Sequence, residues 1–246
     1  MVALFCRDGG VHLREGGEET MALSDFSAES PQNYEQKSIC CFVVDVSSSM
    51  ENAPINQLNQ GLQEFHRDIA NSSVTANRLE VAVIEFSGTV ETVVQPALAD
   101  AFTMPRLSTK GSTKMVDGVR EAISLVESRK SWYRQTGQPH LRPWIILITD
   151  GAPDPDQDVN GLAQDIRNGV NGKKFVFLAI GVQGANMEVL RRISSPDMPP
   201  AALQGLKFSE FFKWVSASMA VVAGSKDGDK VDFPSPAAWM QGFKIG

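Results

Sequence analysis

The chain is poor in cysteine and histidine, has no cluster of basic residues, and contains no long uninterrupted apolar run. Its three cysteines, Cys6, Cys40 and Cys41, are odd in number and include no C-x-x-C. Adjacent Cys40 and Cys41 would face opposite sides of a strand, which argues against a structural disulfide and a thiolate zinc site alike. Such sparing cysteine use fits a reducing compartment, so the expected location is cytoplasmic. The three histidines, His12, His66 and His140, are far apart, and none neighbours a serine or carboxylate in a catalytic pattern, so histidine-based catalysis is not expected. A net charge of −6 without a basic patch gives no electrostatic footprint for DNA or RNA. No segment approaches the roughly 18 apolar residues of a membrane span, and Val2 to Cys6 is too short for the core of a signal peptide. Neither nucleic acid nor a membrane is an expected partner. What remains is a chain of 246 residues, 42% hydrophobic, with enough apolar content for a large globular core.

Residues 1–37 differ from the rest of the chain. Gly9-Gly10, Gly16-Gly17-Glu18-Glu19 and the polar stretch from Ser24 to Pro31 read as a flexible N-terminal extension, with a small hairpin of Val2–Phe5 and Val11–Leu13 as the other option. From Ser38 onward, buried-strand runs alternate with amphipathic helices. Ile39 to Asp45 and Trp144 to Thr149 are apolar without alternation, the pattern of strands covered on both faces. Pro54 suits a first helical turn, and Ile55, Leu58, Leu62, Phe65 and Ile69 form one helical stripe. Leu79–Phe86 and Val90–Val94 read as a hairpin around Ser87-Gly88-Thr89. Met115, Val119, Ala122, Ile123 and Val126 mark a second helix, followed by a basic, polar loop from Arg129 to Arg142. Asp154 to Val170 should hold a short helix, Phe175–Ile180 a strand, and Met187–Ile193 and Phe208–Ala223 two further helices.

This alternation predicts an α/β, doubly wound, Rossmann-like fold: a mostly parallel central sheet with helices on both faces and one antiparallel edge strand. The domain should span residues 38–224, and a tail should occupy 225–246. The aromatic segment from Phe233 to Phe243 either packs back on the domain or serves as a docking peptide, and packing is the favoured reading.

In such sheets ligands bind beyond the carboxyl ends of the strands. There the first central strand ends in Asp45-Val46-Ser47-Ser48-Ser49, a D-x-S-x-S pattern, and the second ends in Thr149-Asp150-Gly151. Thr113 stands at a helix entrance between them. Taken singly, the serines and Thr113 could be helix caps and Asp150-Gly151 an ordinary turn. Taken together, Asp45, Ser47, Ser49, Thr113 and Asp150 offer oxygen donors only, with two carboxylates, which suits a hard cation such as Mg²⁺ or Mn²⁺ rather than zinc. Two other candidates fail. Asp154, Asp156 and Asp158 imitate a calcium loop, but Val159 stands where that loop needs glycine and Asp165 replaces its closing glutamate, so a solvated helix N-terminus is expected. Gly111-Ser112-Thr113-Lys114 lacks the spacing of a phosphate loop.

These residues make the chain resemble the von Willebrand factor type A (VWA) domain, whose metal-ion-dependent adhesion site (MIDAS) joins D-x-S-x-S to a later threonine and to an aspartate after a central strand. A narrower similarity, to the bacterial TerY-like group of tellurium-resistance and stress-response gene sets, rests on Asp45 to Pro54, Ile148 to Pro153 and Phe211 to Ser218. The resemblance implies that Ser47, Ser49 and Thr113 meet the metal directly or nearly so, and that Asp45 and Asp150 often act through water. It also implies a glutamate or aspartate from a protein partner as the completing ligand, and partners such as a PP2C-type phosphatase or a protein kinase. The implied function is a non-catalytic interaction module. The alternative, a metal-dependent phosphohydrolase or a phosphoacceptor domain, is weakened because D-x-S-x-S lacks a second aspartate and no lysine follows a suitable strand. The 37-residue leader and the Arg129–Arg142 loop depart from a minimal domain of this kind.

Overall fold

The computed structural model describes residue 26 and residues 29–226 and 229–240. Among these residues six strands form one sheet: β1 (Ser38–Asp45), β2 (Leu79–Phe86), β3 (Val90–Leu98), β4 (Trp144–Thr149), β5 (Val176–Gly181) and β6 (Ala201–Ala202). Their order is β3-β2-β1-β4-β5-β6, and only the β2–β3 pair is antiparallel. From β1 the chain winds toward one edge and from β4 toward the other. The switch in winding direction therefore falls between β1 and β4, where such sheets open a crevice for ligands.

Among the described residues six α-helices cover the sheet: α1 (Ala53–Asn71), α2 (Ser73–Arg78), α3 (Met115–Thr136), α4 (Val159–Asn171), α5 (Met187–Ile193) and α6 (Phe208–Gly224). Because successive strand residues point to opposite faces, Cys40, Phe42 and Val44 join α1 and α6 in one core, while Cys41 and Val43 join α3, α4 and α5 in the other. Every residue of β1, β2 and β4 is buried, as the apolar runs of β1 and β4 require; β2 buries Glu80 and Glu85 as well. The predicted stripe on α1 from Ile55 to Ile69 is likewise buried. Phe42, Phe65 and Phe212 meet at its centre, with ring centroids 5.0 to 6.2 Å apart.

Several local expectations need correction. The segment from Arg129 is not a loop, since α3 continues to Thr136 and ends at Gly137 in the left-handed conformation (φ +71°) that glycine adopts freely at a helix end. The polar look of this stretch misleads because Arg129 is buried and forks onto Glu80 with two 2.8 Å hydrogen bonds. Tyr133 also donates to Glu80, at 2.7 Å, while Trp132 packs beneath the guanidinium. β3 runs to Leu98 rather than Val94, because an edge strand tolerates both a shifted register and Pro96, which has no N–H to offer. The two-residue β6 has no signature in the sequence.

Phe26 and residues 29–37 pack against the domain rather than trailing from it. Phe26 is buried under the Arg129 guanidinium, 4.8 Å from its ring, and Glu29 pairs with Arg129 at 2.6 Å. Lys37 bridges to His140 in a short parallel pairing. The hairpin considered for Val2–Leu13 lies outside the described residues. In the tail, Trp239 is buried, its ring 4.9 Å from Phe211 and 5.2 Å from Trp214, and the Trp214 indole donates to the Pro234 carbonyl at 2.7 Å. Among the described residues, no helix is long and apolar enough to cross a membrane.

Candidate metal centre

The two carboxylates of interest end neighbouring parallel strands, Asp45 closing β1 and Asp150 following β4. Asp45 is fully buried, and it accepts hydrogen bonds from the Ser47 N–H at 2.8 Å and the Thr149 hydroxyl at 2.5 Å. The Ser47 and Ser49 hydroxyls lie 3.0 Å apart, and Ser49 donates to Asp150 Oδ1 at 2.7 Å. A chain of polar contacts thus runs from Asp45 through the two serines to Asp150.

Thr113 enters from a third loop, two residues ahead of α3. Its place beside the others follows from Gly151. A Cβ built on that glycine would stand 3.8 Å from each of Asp45 Oδ2, Ser49 Oγ and Thr113 Cγ2, so the three residues come together here, Thr113 through its methyl group. The loops are interlaced by backbone bonds. Ser48 donates from its N–H and its hydroxyl to the Gly111 carbonyl, at 3.2 and 3.1 Å, and the Lys110 N–H donates to Val46 at 2.7 Å. Gly111 has φ +69°, and a side chain on it would press on the Gly88 backbone N at 3.1 Å, so this crossing requires glycine.

The ordinary explanation of the hydroxyls does not hold. Ser47 precedes the 3₁₀ turn at Ser48–Met50 and makes no side-chain cap, while α3 is preceded by Lys114, which makes none either. The serine hydroxyls face the carboxylates instead of a helix end. Asp158, by contrast, is the helix N-terminus the sequence suggested: it caps α4 through the Gly161 N–H at 2.9 Å. Asp154 turns away from it to accept the Thr113 N–H at 3.1 Å, so the three aspartates form no calcium loop.

Burial pushes the carboxyl groups of Asp45 and Asp150 above the ordinary range, only partly offset by the hydrogen bonds from Ser47 and Thr149 to the first and from Ser49 to the second. A positive charge nearby would favour the ionised form of both carboxyl groups. Among the described residues no three His, Cys, Asp or Glu side chains gather as a metal-binding set; what meets here is two carboxylates and the hydroxyls of Ser47 and Ser49, with Thr113 beside them. That set fits a hard divalent cation. Two supporting residues escape a reading of the sequence. Thr149 looks only like the end of a strand, and Asp154 only like part of a polar helix start; bonds between positions 104 and 41 apart leave no local signal.

A family model described as the von Willebrand factor type A domain matches residues 40–211. Among solved structures, proximal thread matrix protein 1 from the mussel byssus aligns with a TM-score of 0.54 at 21% identity, covering 75% of this chain and 46% of that one. The same protein with a zinc-occupied MIDAS motif aligns with a TM-score of 0.54 at 21% identity, covering 78% and 47%. The pilus adhesin SpaC of Lactobacillus rhamnosus GG aligns with a TM-score of 0.60 at 15% identity, covering 78% of this chain and 31% of that one. The match spans less than half of each of these solved chains, and at such identities it establishes the fold alone. None of the curated proteins matches the sequence.

Proposed function

The chain belongs to the von Willebrand factor type A domain family, and from that premise we propose that residues 38–224 form a non-catalytic interaction module. In this reading Asp45, Ser47, Ser49, Thr113 and Asp150 hold Mg²⁺ or Mn²⁺, and a glutamate or aspartate of a protein partner completes the shell. The observation that carries it is the polar chain Asp45–Ser47–Ser49–Asp150 across the two central strands, made by the Ser47 N–H and by two serine hydroxyls that cap no helix.

Asp45 and Asp150 together balance a +2 charge, and the three hydroxyls add donors without adding charge. The ion, when bound, supplies a Lewis-acidic centre that attracts an outside carboxylate. The chain's own groups set the geometry: Thr149 orients Asp45, and Ser49 orients Asp150. A zinc-occupied MIDAS in a solved relative supports a divalent ion at this kind of site. Neither described histidine serves the five residues as a base. His66 lies against the Ala99 carbonyl at 2.8 Å, and His140 packs at a tilt on the Tyr133 ring at the far end of α3.

The text similarity to TerY-like proteins extends the proposal to a bacterial, cytoplasmic stress-response or phosphorylation-linked system, with a PP2C-type phosphatase or a protein kinase as partner. A pull-down from lysate in Mg²⁺ or Mn²⁺, repeated with chelator and with Asp45→Ala, tests it. The expected result is a partner retained only by the metal-loaded wild type. Retention unaffected by chelator and by the substitution would refute the metal-bridged mode.

A further inference from the structure

The loop after β4 does more than deliver Asp150. Asp154, three residues beyond Gly151, clasps both backbone groups of Thr113: its N–H donates to the Thr113 carbonyl at 3.0 Å, and its Oδ1 accepts the Thr113 N–H at 3.1 Å. Gln157 then reaches the start of α3. Its Oε1 accepts the N–H groups of Val116 at 2.9 Å and Asp117 at 3.3 Å, and its Nε2 donates to Asp117 Oδ2 at 3.1 Å.

These bonds occupy a gap in local structure. The first N–H groups of a helix have no partner within the helix and are ordinarily met by the residue just before it. Lys114 holds that position and its side chain makes no cap, so Gln157 caps α3 from another loop. Threonine is stiff about χ1, because two heavy atoms branch from its Cβ. Once both backbone groups of Thr113 are fixed, its hydroxyl is confined to the few staggered directions open to a β-branched side chain.

We infer that Asp154 and Gln157 are positioning residues for the metal centre: they bind the Thr113 loop and the Asp150 loop into one rigid unit, so affinity for the ion depends on two side chains outside the set of five donors. This rests on the reading of those five residues as the metal site. The clasp on Thr113 is the stronger half, and the cap on α3 keeps the loop from swinging about its junction with the helix.

The experiment is a calorimetric titration of Mn²⁺ into the full chain, as wild type, Asp154→Ala, Asp154→Asn, Gln157→Ala and Asp45→Ala, with thermal unfolding of each without metal. Outer partners of this kind are worth about 10- to 100-fold in metal affinity. Asp154→Ala should lose at least about tenfold. Asp154→Asn keeps an acceptor oxygen for the Thr113 N–H and should stay within about threefold of wild type, which separates the clasp from the mere charge of Asp154. Gln157→Ala should lose about threefold or more in affinity while its unfolding midpoint falls by only the few degrees that loss of a helix cap costs, and this serves if Asp154→Ala does not fold. Wild-type affinity in both alanine variants, alongside loss in Asp45→Ala, would overturn the positioning role and leave the metal site standing. Asp154→Asn as weak as Asp154→Ala would also overturn it, in favour of a charge effect. Absence of Mn²⁺ binding by the wild type would overturn the inference and the metal reading together.

Discussion

Ser49 and Asp150 stand 101 positions apart in the chain, and the serine hydroxyl donates to the aspartate carboxylate at 2.7 Å. This bond joins the loops leaving the two central strands and lies on the chain of oxygen atoms that faces the proposed ion. Ser49→Ala should therefore lower metal affinity while costing about 1 kcal/mol of apo stability, the net worth of one ordinary hydrogen bond. Calorimetry and thermal unfolding check the two effects separately. Unchanged affinity would remove Ser49 from the ligand set.

Gly61 lies where α1 crosses α6, and a Cβ there would come within 2.2 Å of the Phe212 ring. Helix propensity alone would make Gly61→Ala stabilising by about 1 kcal/mol. Packing should win, because Phe212 is fully buried between Phe42, Phe65 and Phe211 and has no room to retreat. The expected outcome is a net loss of about 1–3 kcal/mol in denaturant unfolding. Gly224→Ala, whose Cβ meets nothing within 4 Å, is the control and should not destabilise.

Glu80 and Arg129 form a buried pair with 4% and 5% side-chain exposure. Glu80→Ala leaves the buried guanidinium with only the half-exposed Glu29 carboxylate and takes the acceptor from the Tyr133 hydroxyl, and should cost about 3 kcal/mol. Replacing both, as Glu80→Leu with Arg129→Met, should recover much of that loss, because the penalty lies in the stranded charge more than in the pair. Thermal unfolding of the single and double variants distinguishes the two.

The tail is part of the core by the same measure. Trp239→Ala should cost about 3–5 kcal/mol, the usual result of truncating a buried tryptophan. If the tail served only as a docking peptide, the variant would unfold at the wild-type midpoint.

The Gly161 N–H and then the Arg120 guanidinium hold the Asp158 carboxyl below its ordinary value. A folded value below the unfolded one contributes stability above the unfolded pKa of about 3.9, lost as pH falls through the folded value. Wild type should therefore unfold at a higher temperature than Asp158→Asn at pH 7, and the gap should close once both states are protonated. A gap independent of pH would contradict this.

The sequence reveals those features whose deciding contacts are local. The parallel sheet is legible because residues 39–45 and 144–149 are apolar on both faces, and the α1 stripe because its period is 3.6. The meeting of Asp45, Ser47, Ser49 and Asp150 at one edge follows from reading both strands as central, since parallel central strands place their carboxyl ends together. Arg129 misleads because a buried arginine looks like a solvated one until Glu80, 49 positions away, is placed beside it. Asp154 and Gln157 stay hidden for a similar reason: their partners at Thr113 and the start of α3 come from another loop.

The most direct measurement is a calorimetric titration of Mg²⁺ and Mn²⁺ into the wild-type chain and into Asp45→Ala and Asp150→Ala. One ion should bind the wild type, and neither variant should bind it, while far-ultraviolet circular dichroism shows the sheet and helices intact. Equal binding by the wild type and both variants, or none by any of them, would contradict a metal centre at the ends of β1 and β4.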